Sequence, residues 1–199
     1  MLFCDVGNTS FHFFDGENEY KESVDSFNSS EITQNVYYIC VNPQVKEVLK
    51  LLKNWIDISV DIDMSKYYDT MGIDRIMACE AIKDGVIVDA GSAVTVDLVK
   101  NGKFQGGFIY PGIKAMSQTY ENISSALSYP FNFDIDLNSL AKNSQDAITY
   151  GYLKTLQSEV LSLGAQIYLT GGDAENFLKI FKNAIVDKRL IFKGMKKVH

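Results

Sequence analysis

Residues 85–104 read GVIVDAGSAVTVDLVKNGKF, and residues 1–16 read MLFCDVGNTSFHFFDG. Both place Asp-x-Gly, followed by Asn or Ser, at the end of a short apolar run: Asp5-Val6-Gly7-Asn8 in one, Asp89-Ala90-Gly91-Ser92 in the other. Both then pass into segments of alternating character. In the later copy AVTVDLVK and KFQGGFIY flank Asn101-Gly102, a dipeptide suited to a two-residue hairpin turn. In the earlier one LFCDV, SFHFF and EYKESV, with DGEN as a turn, predict a three-stranded meander.

Working outward, the two halves keep the same order. NVYYICV (35–41) is a continuous apolar run of the buried-strand kind, closed by Asn42-Pro43, a cap and a first-turn proline that start a helix. Val45, Val48, Leu49, Leu52, Trp55 and Ile56 form one face of that helix and Lys46, Lys50, Lys53 and Asn54 the other, as a crossover helix on a sheet requires. DISVDIDM (57–64) predicts a further strand, and GIDRIMACEAIKDG (72–85) a helix ending at Gly85. After the repeated strand and hairpin come a helix marked by Ile113, Met116, Tyr120, Ile123 and Leu127 and a longer one marked by Ile148, Tyr152, Leu153, Leu156, Val160 and Leu163. AQIYLTGGDAENFLKIF (165–181) then reads as strand, glycine turn and helix, and the closing KGMKKVH as a solvated tail. The implied architecture is a duplicated α/β unit with a cleft between the halves.

The repeated turn has a chemical reading. Glycine after a strand lets successive backbone N–H groups point into one space, a concavity suited to phosphate. An Asp in the same turn repels a phosphate unless a divalent cation lies between them, and Mg²⁺ takes carboxylate and phosphate oxygens together. Two such turns facing each other would clamp a nucleotide. One Asp-x-Gly alone is an ordinary turn; two, each between a buried strand and a hairpin, give the functional reading its weight. The third glycine turn, YLTGGDA, also ends a strand and opens a helix. Asp74-Arg75, at the start of a helix, reads either as a cap with a surface cation or as a proton acceptor beside a carboxylate clamp.

Composition narrows the classes further. The chain has 199 residues, 46% hydrophobic and 22% charged, with only 3 Pro, so it has the make-up of an ordinary globular protein that folds throughout. Net charge is −6 with scattered Lys and Arg, which excludes the basic stripe that nucleic acid needs. No apolar window reaches the roughly 20 residues that span a bilayer. No membrane association is expected, and a cytoplasmic location is. Cys4, Cys40 and Cys79 are widely spaced inside apolar runs and read as buried free thiols, Cys4 included despite its place beside Asp5.

Taken in order, DVGNTS (5–10), GIDR (72–75), DAGSAVTVD (89–97), GGFIYPGI (106–113), ALSYP (126–130), NSQDAITYG (143–151), TGGDA (170–174) and RLIFKGM (189–195) resemble type III pantothenate kinase, of the acetate and sugar kinase, heat-shock chaperone and actin superfamily. The resemblance spans nearly the whole chain. It implies two ribonuclease H-like domains of βββαβα type with a nucleotide cleft between them, divided here as 1–70 and 71–199. It implies ATP-dependent phosphorylation of the primary hydroxyl of pantothenate, the first step of coenzyme A synthesis, with Mg²⁺ and a monovalent cation, K⁺ or ammonium. A homodimer whose active site is completed by the neighbouring subunit is implied as well.

By motif, Asp5, Val6, Gly7, Asn8, Thr9, Ser10, Phe11 and His12 correspond to the ATP-binding segment, with Asp5 toward Mg²⁺. Ser92, Gly171 and Gly172 also fall to ATP. Gly72, Ile73, Asp74 and Arg75 fall to pantothenate, with Asp74 as general base, Arg75 on the carboxylate and Tyr68, rather than Tyr67, lining the pocket. Asp89 corresponds to the monovalent-cation ligand, and Ser144 to the residue that reaches the neighbouring subunit's substrate. Ser92 and Ser144 stand where the family usually has Thr, and each keeps the hydroxyl. The chain is short for the family, before GIDR and in C-terminal loops. Three rivals remain: a nucleotide-binding regulator of the same fold, a kinase for another small alcohol, and a structural domain that binds no nucleotide.

Overall fold

A strand covered on both faces needs apolar side chains of both parities, and Leu2–Val6 (β1) has them: Leu2, Phe3, Cys4 and Val6 are all buried. The computed structural model describes residues 1–199, and in it β1 is the middle of the first sheet. It pairs antiparallel with Ser10–Phe14 (β2), which pairs with Glu19–Ser23 (β3); on its other side it runs parallel to Val36–Cys40 (β4), itself parallel to Trp55–Asp57 (β5). The order is β3-β2-β1-β4-β5.

The first helix, Pro43–Leu49 (α1), starts where the Asn42 side chain accepts from the N–H groups of Gln44 and Val45, at 3.1 and 3.2 Å. It ends earlier than its apolar face suggested. Trp55 and Ile56 belong instead to β5, where Trp55 packs edge-on against Phe11, Phe13 and Tyr38 and its indole N–H reaches the Ser29 carbonyl. DISVDIDM is likewise not a strand beyond Asp57: Ile58–Asp61 and Met64–Lys66 are 3₁₀ turns. Asp57 and Asp63 each accept from the N–H of the Ser two residues on, and this local capping outweighs the alternation.

Two helices cover the face of the first sheet that carries Phe3, Phe14 and Ile39: Ile73–Ala81 (α2) and Leu190–Val198 (α6), which bring Met77, Phe192 and Met195. The expected C-terminal tail is therefore structured. Gly194 lies so close to Met77 that a Cβ there would overlap the Met77 carbonyl, while Lys196 Nζ lies 4.5 Å from the centre of the Phe14 ring and Lys197 Nζ donates to the Glu80 carbonyl at 2.7 Å. One compact unit is consequently Met1–Ile82 with Arg189–His199, the other Lys83–Lys188. The boundary expected at 70/71 falls inside the first unit, because α2 packs on the first sheet and α6 packs on α2.

The second unit is built around Gly85–Ala90 (β6), with Ala93–Lys100 (β7) and Lys103–Pro111 (β8) antiparallel and Ile167–Thr170 (β9) and Ile185–Val186 (β10) parallel. Asn101 and Gly102 form the predicted hairpin turn, with φ of 52° and 68°. The order β8-β7-β6-β9-β10 repeats that of the first sheet, so both units have the ribonuclease H-like α/β arrangement. Ile113–Ile123 (α3), Ser144–Ser162 (α4) and Ala174–Leu178 (α5) complete it, and Leu153, Leu156 and Val160 of α4 seal the core over Val86, Val88 and Val96. In the first unit the helices between third and fourth strands shrink to one 3₁₀ turn, Ser29–Glu31. No helix is long and apolar enough to cross a membrane.

Candidate functional site

In the first unit, β1 ends at Val6 and the chain turns through Gly7, Asn8 and Thr9 into β2, closed by the Gly7 N–H donating to the Ser10 carbonyl at 2.9 Å. Asn8 and Thr9 are exposed, and Asp5 is half-buried on the sheet face of Phe3. Val6 and Phe11 turn their side chains into the core, so they offer the turn only backbone. His12 stands opposite Asp5 in register, but its ring is committed: Nε2 donates to Glu19 Oε2 at 3.0 Å and the edge meets Phe192 with centroids 4.9 Å apart. Burial pushes its pKa below the ordinary value, with Lys21 in support and Glu19 opposed.

The second group lies at the N-terminus of α2. Gly72 caps the helix, and the Asp74 carboxylate folds back toward it, with Oδ1 accepting from the Arg75 N–H at 2.8 Å. A Cβ on Gly72 would come within 2.6 Å of that oxygen, so the missing side chain makes room for the carboxylate. Arg75 is only 6% exposed, and its Nη1 donates to the Tyr68 hydroxyl at 2.6 Å. Tyr67, the other candidate, instead donates to Glu80 Oε1 at 2.9 Å near the far end of α2. Ile73 packs with the cluster beneath α6. A carboxylate and a guanidinium on consecutive residues are thereby each held by a hydrogen bond at the head of α2, the first by the Arg75 N–H and the second by the Tyr68 hydroxyl.

In the second unit the Gly91 and Gly171 turns close on Asp89, half-buried near the end of β6, and Gly112 packs on the Gly91-Ser92 turn. Gly171, at φ +85°, comes so close that a Cβ would strike Asp89 Oδ1 and sit 2.6 Å from the Ala90 carbonyl carbon. The Gly112 N–H donates to the Ser92 carbonyl at 3.1 Å, and the Asp173 N–H to Ala90 at 2.9 Å. Ser92 is exposed, and a Cβ on Gly172 would meet nothing within 4 Å. Asp89 pairs in register with Thr95 of β7 and Thr170 of β9. Thr95 Oγ1 is buried with no hydrogen-bond partner, which fits a bare cation shared with Asp89. No three His, Cys, Asp or Glu side chains gather as a metal cage.

Thr95, Thr170 and Gly112 join the expected residues around this turn. The hairpin that turns about Ser92 pairs residues 89 and 95, so local pairing brings Thr95 beside Asp89; Thr170 and Gly112 arrive by pairing and packing over long separations. Ser144 is exposed in the first turn of α4, where Asn143 accepts from the Asp146 N–H at 2.9 Å. Asn132, then Asn143, hydrogen-bond to the Asp146 carboxylate and hold its pKa below the usual range. Cys4, Cys40 and Cys79 are buried free thiols as expected, and burial pushes the Cys4 thiol well up, away from nucleophilic use.

A model of the type III pantothenate kinase family matches residues 28–165. A type III pantothenate kinase of Sulfurimonas denitrificans is 62% identical, with 100% of this chain and 97% of that one covered. One of Campylobacter jejuni subsp. jejuni is 40% identical, covering 100% and 96%. A Campylobacter jejuni crystal structure, described as a conserved putative Baf family transcriptional activator, matches with a TM-score of 0.90 at 39% identity, over 100% of this chain and 96% of that one.

Proposed function

The chain belongs to the type III pantothenate kinase family, and from that premise we propose how its residues carry the reaction. It is a kinase that phosphorylates pantothenate in coenzyme A biosynthesis, using ATP and a divalent metal. Phosphoryl transfer asks a protein mainly to position reactants and balance charge, with no covalent intermediate. In the first unit the backbone from Asp5 to Ser10 receives the ATP phosphates, and Asp5 faces the Mg²⁺ they carry. Bound there, the ion supplies charge neutralisation on the transferring group. In the second unit Ser92, Gly171 and Gly172 contact ATP, while Asp89 with Thr95 holds K⁺ or ammonium.

Asp74 takes the proton of the pantothenate primary hydroxyl as that oxygen bonds to the γ-phosphorus and the bond to the β,γ-bridging oxygen breaks. Arg75 grips the substrate carboxylate, and Tyr68, Gly72 and Ile73 line the pocket around it. The observation that carries this reading is the Asp74-Arg75 pair at the head of α2, its carboxylate accommodated over Gly72 and its guanidinium bonded to Tyr68. A nucleotide-binding regulator has no use for a substrate base and a carboxylate clamp. Ser144 reaches the substrate of a second subunit in a homodimer, and the location is cytoplasmic.

A coupled ADP-release assay with Mg-ATP and pantothenate, run in K⁺ or ammonium and again in Na⁺ alone, tests the proposal. Turnover that depends on pantothenate and on K⁺ or ammonium is expected. Turnover indifferent to the cation would remove Asp89 from its role. No turnover in a chain that Mg-ATP still stabilises would favour the regulator, in line with the description of the solved Campylobacter jejuni relative.

A further inference from the structure

Tyr68 is 43% exposed, so burial does not decide where its hydroxyl lies, yet that hydroxyl meets Arg75 Nη1 at 2.6 Å. Its neighbour explains the placement. Tyr67 has extended backbone, φ −132° and ψ 166°, so the two side chains leave the chain on opposite sides. Tyr68 goes to Arg75 in the first turn of α2, and Tyr67 goes to Glu80 in the last, donating to Oε1 at 2.9 Å. Residues 75 and 80 stand roughly 7.5 Å apart along a helix, so the pair grips α2 at two separated points.

Glu80 is itself a fixed point. Its side chain is 13% exposed and also accepts from Lys66 Nζ at 3.2 Å, and Lys197 of α6, bonded to the Glu80 carbonyl at 2.7 Å, brings its ammonium within 3.9 Å of the carboxylate. Burial and the Glu80 charge push the Tyr67 pKa far above its ordinary value, so the phenol stays a donor at every working pH.

We propose that Tyr67 and Glu80 are positioning residues for the substrate-carboxylate pocket: their hydrogen bond anchors the segment before α2 so that Tyr68 holds the Arg75 guanidinium in its gripping orientation. This rests on the assignment of Arg75 to the pantothenate carboxylate made above. Neither residue touches substrate, so their loss acts on binding of one substrate and leaves the chemical step and the nucleotide alone.

The test is steady-state kinetics of Tyr67→Phe, Glu80→Gln and Tyr68→Phe beside the unmodified enzyme. Tyr67→Phe is expected to raise the KM for pantothenate about tenfold, the worth of one hydrogen bond to a charged group, with kcat and the KM for ATP within about twofold. Glu80→Gln keeps an acceptor oxygen and is expected to be milder. Tyr67→Phe with Tyr68→Phe is expected to cost clearly less than the product of the single effects, since both act through Arg75. An unchanged pantothenate KM, or equal rises in both KM values, would overturn the proposal. If the unmodified enzyme shows no pantothenate-dependent turnover, the assignment of Arg75 fails and the brace falls with it; if it turns over and Tyr67→Phe matches it, only the brace falls.

Discussion

Gly72 is a glycine for the sake of Asp74. A methyl group at 72 would lie 2.6 Å from Asp74 Oδ1, the mobile end of a side chain, so the fold can yield cheaply but the carboxylate must leave its place. Gly72→Ala is therefore expected to shift the melting temperature little and to cut kcat sharply. Asp74→Asn is expected to lower kcat by about 10² or more, the usual worth of a general base, while a Mg-ATP thermal shift remains. Turnover of Asp74→Asn within about tenfold of the unmodified enzyme would remove it as the base. At this scale the sequence disclosed residue types and spacing: an acid and a base pair at a helix start, and two Asp-x-Gly turns. It did not disclose which tyrosine meets Arg75, because that depends on a 3₁₀ turn set by the Asp63 cap, nor that His12 is held by Glu19 and Phe192.

Periodicity identified the elements whose pattern is strong and local, such as β1, the β7–β8 hairpin and α4. It misread the segments where a short-range cap or a distant partner decides. DISVDIDM alternates like a strand, but Asp57 with Ser59, and Asp63 with Ser65 just beyond it, close local turns. KGMKKVH looks like a charged tail because its lysines dominate the composition, whereas Gly194 and Met195 are what it buries. Gly194 is the contact between α6 and α2, and a Cβ there would meet backbone atoms of Met77, with its carbonyl carbon at 2.6 Å. Backbone inside two packed helices cannot rotate away. Gly194→Ala is thus expected to destabilise by about 2–4 kcal/mol, lowering the melting temperature by roughly 5–15 °C. Gly151→Ala, where a Cβ meets nothing within 4 Å, serves as the control and is expected to be neutral or stabilising by up to about 1 kcal/mol through helix propensity. Equal melting temperatures for the two variants would contradict the close α2–α6 approach.

The duplication was legible over the whole chain because each sheet begins with the same local signal, a buried strand, an Asp-x-Gly turn and a hairpin, and the two strand orders are the same. The division into units was not, since the return of Arg189–His199 to the first sheet rests on packing between residues more than a hundred positions apart. The homodimer proposed above belongs to the same scale, and it predicts complementation. If Ser144 serves the substrate of the neighbouring subunit, Ser144→Ala on one chain and Asp74→Asn on the other fall in the same site of a mixed dimer: that site carries both changes and the other carries neither. Random mixing makes half of the dimers hybrid, each with one intact site, so activity near about a quarter of the unmodified enzyme is expected from two preparations that are each poor alone. Native mass spectrometry would verify that the hybrid has formed, and ADP release measured before and after subunit exchange would report the gain. No gain in a verified hybrid would confine each site to a single chain and remove Ser144 from the neighbouring subunit's site.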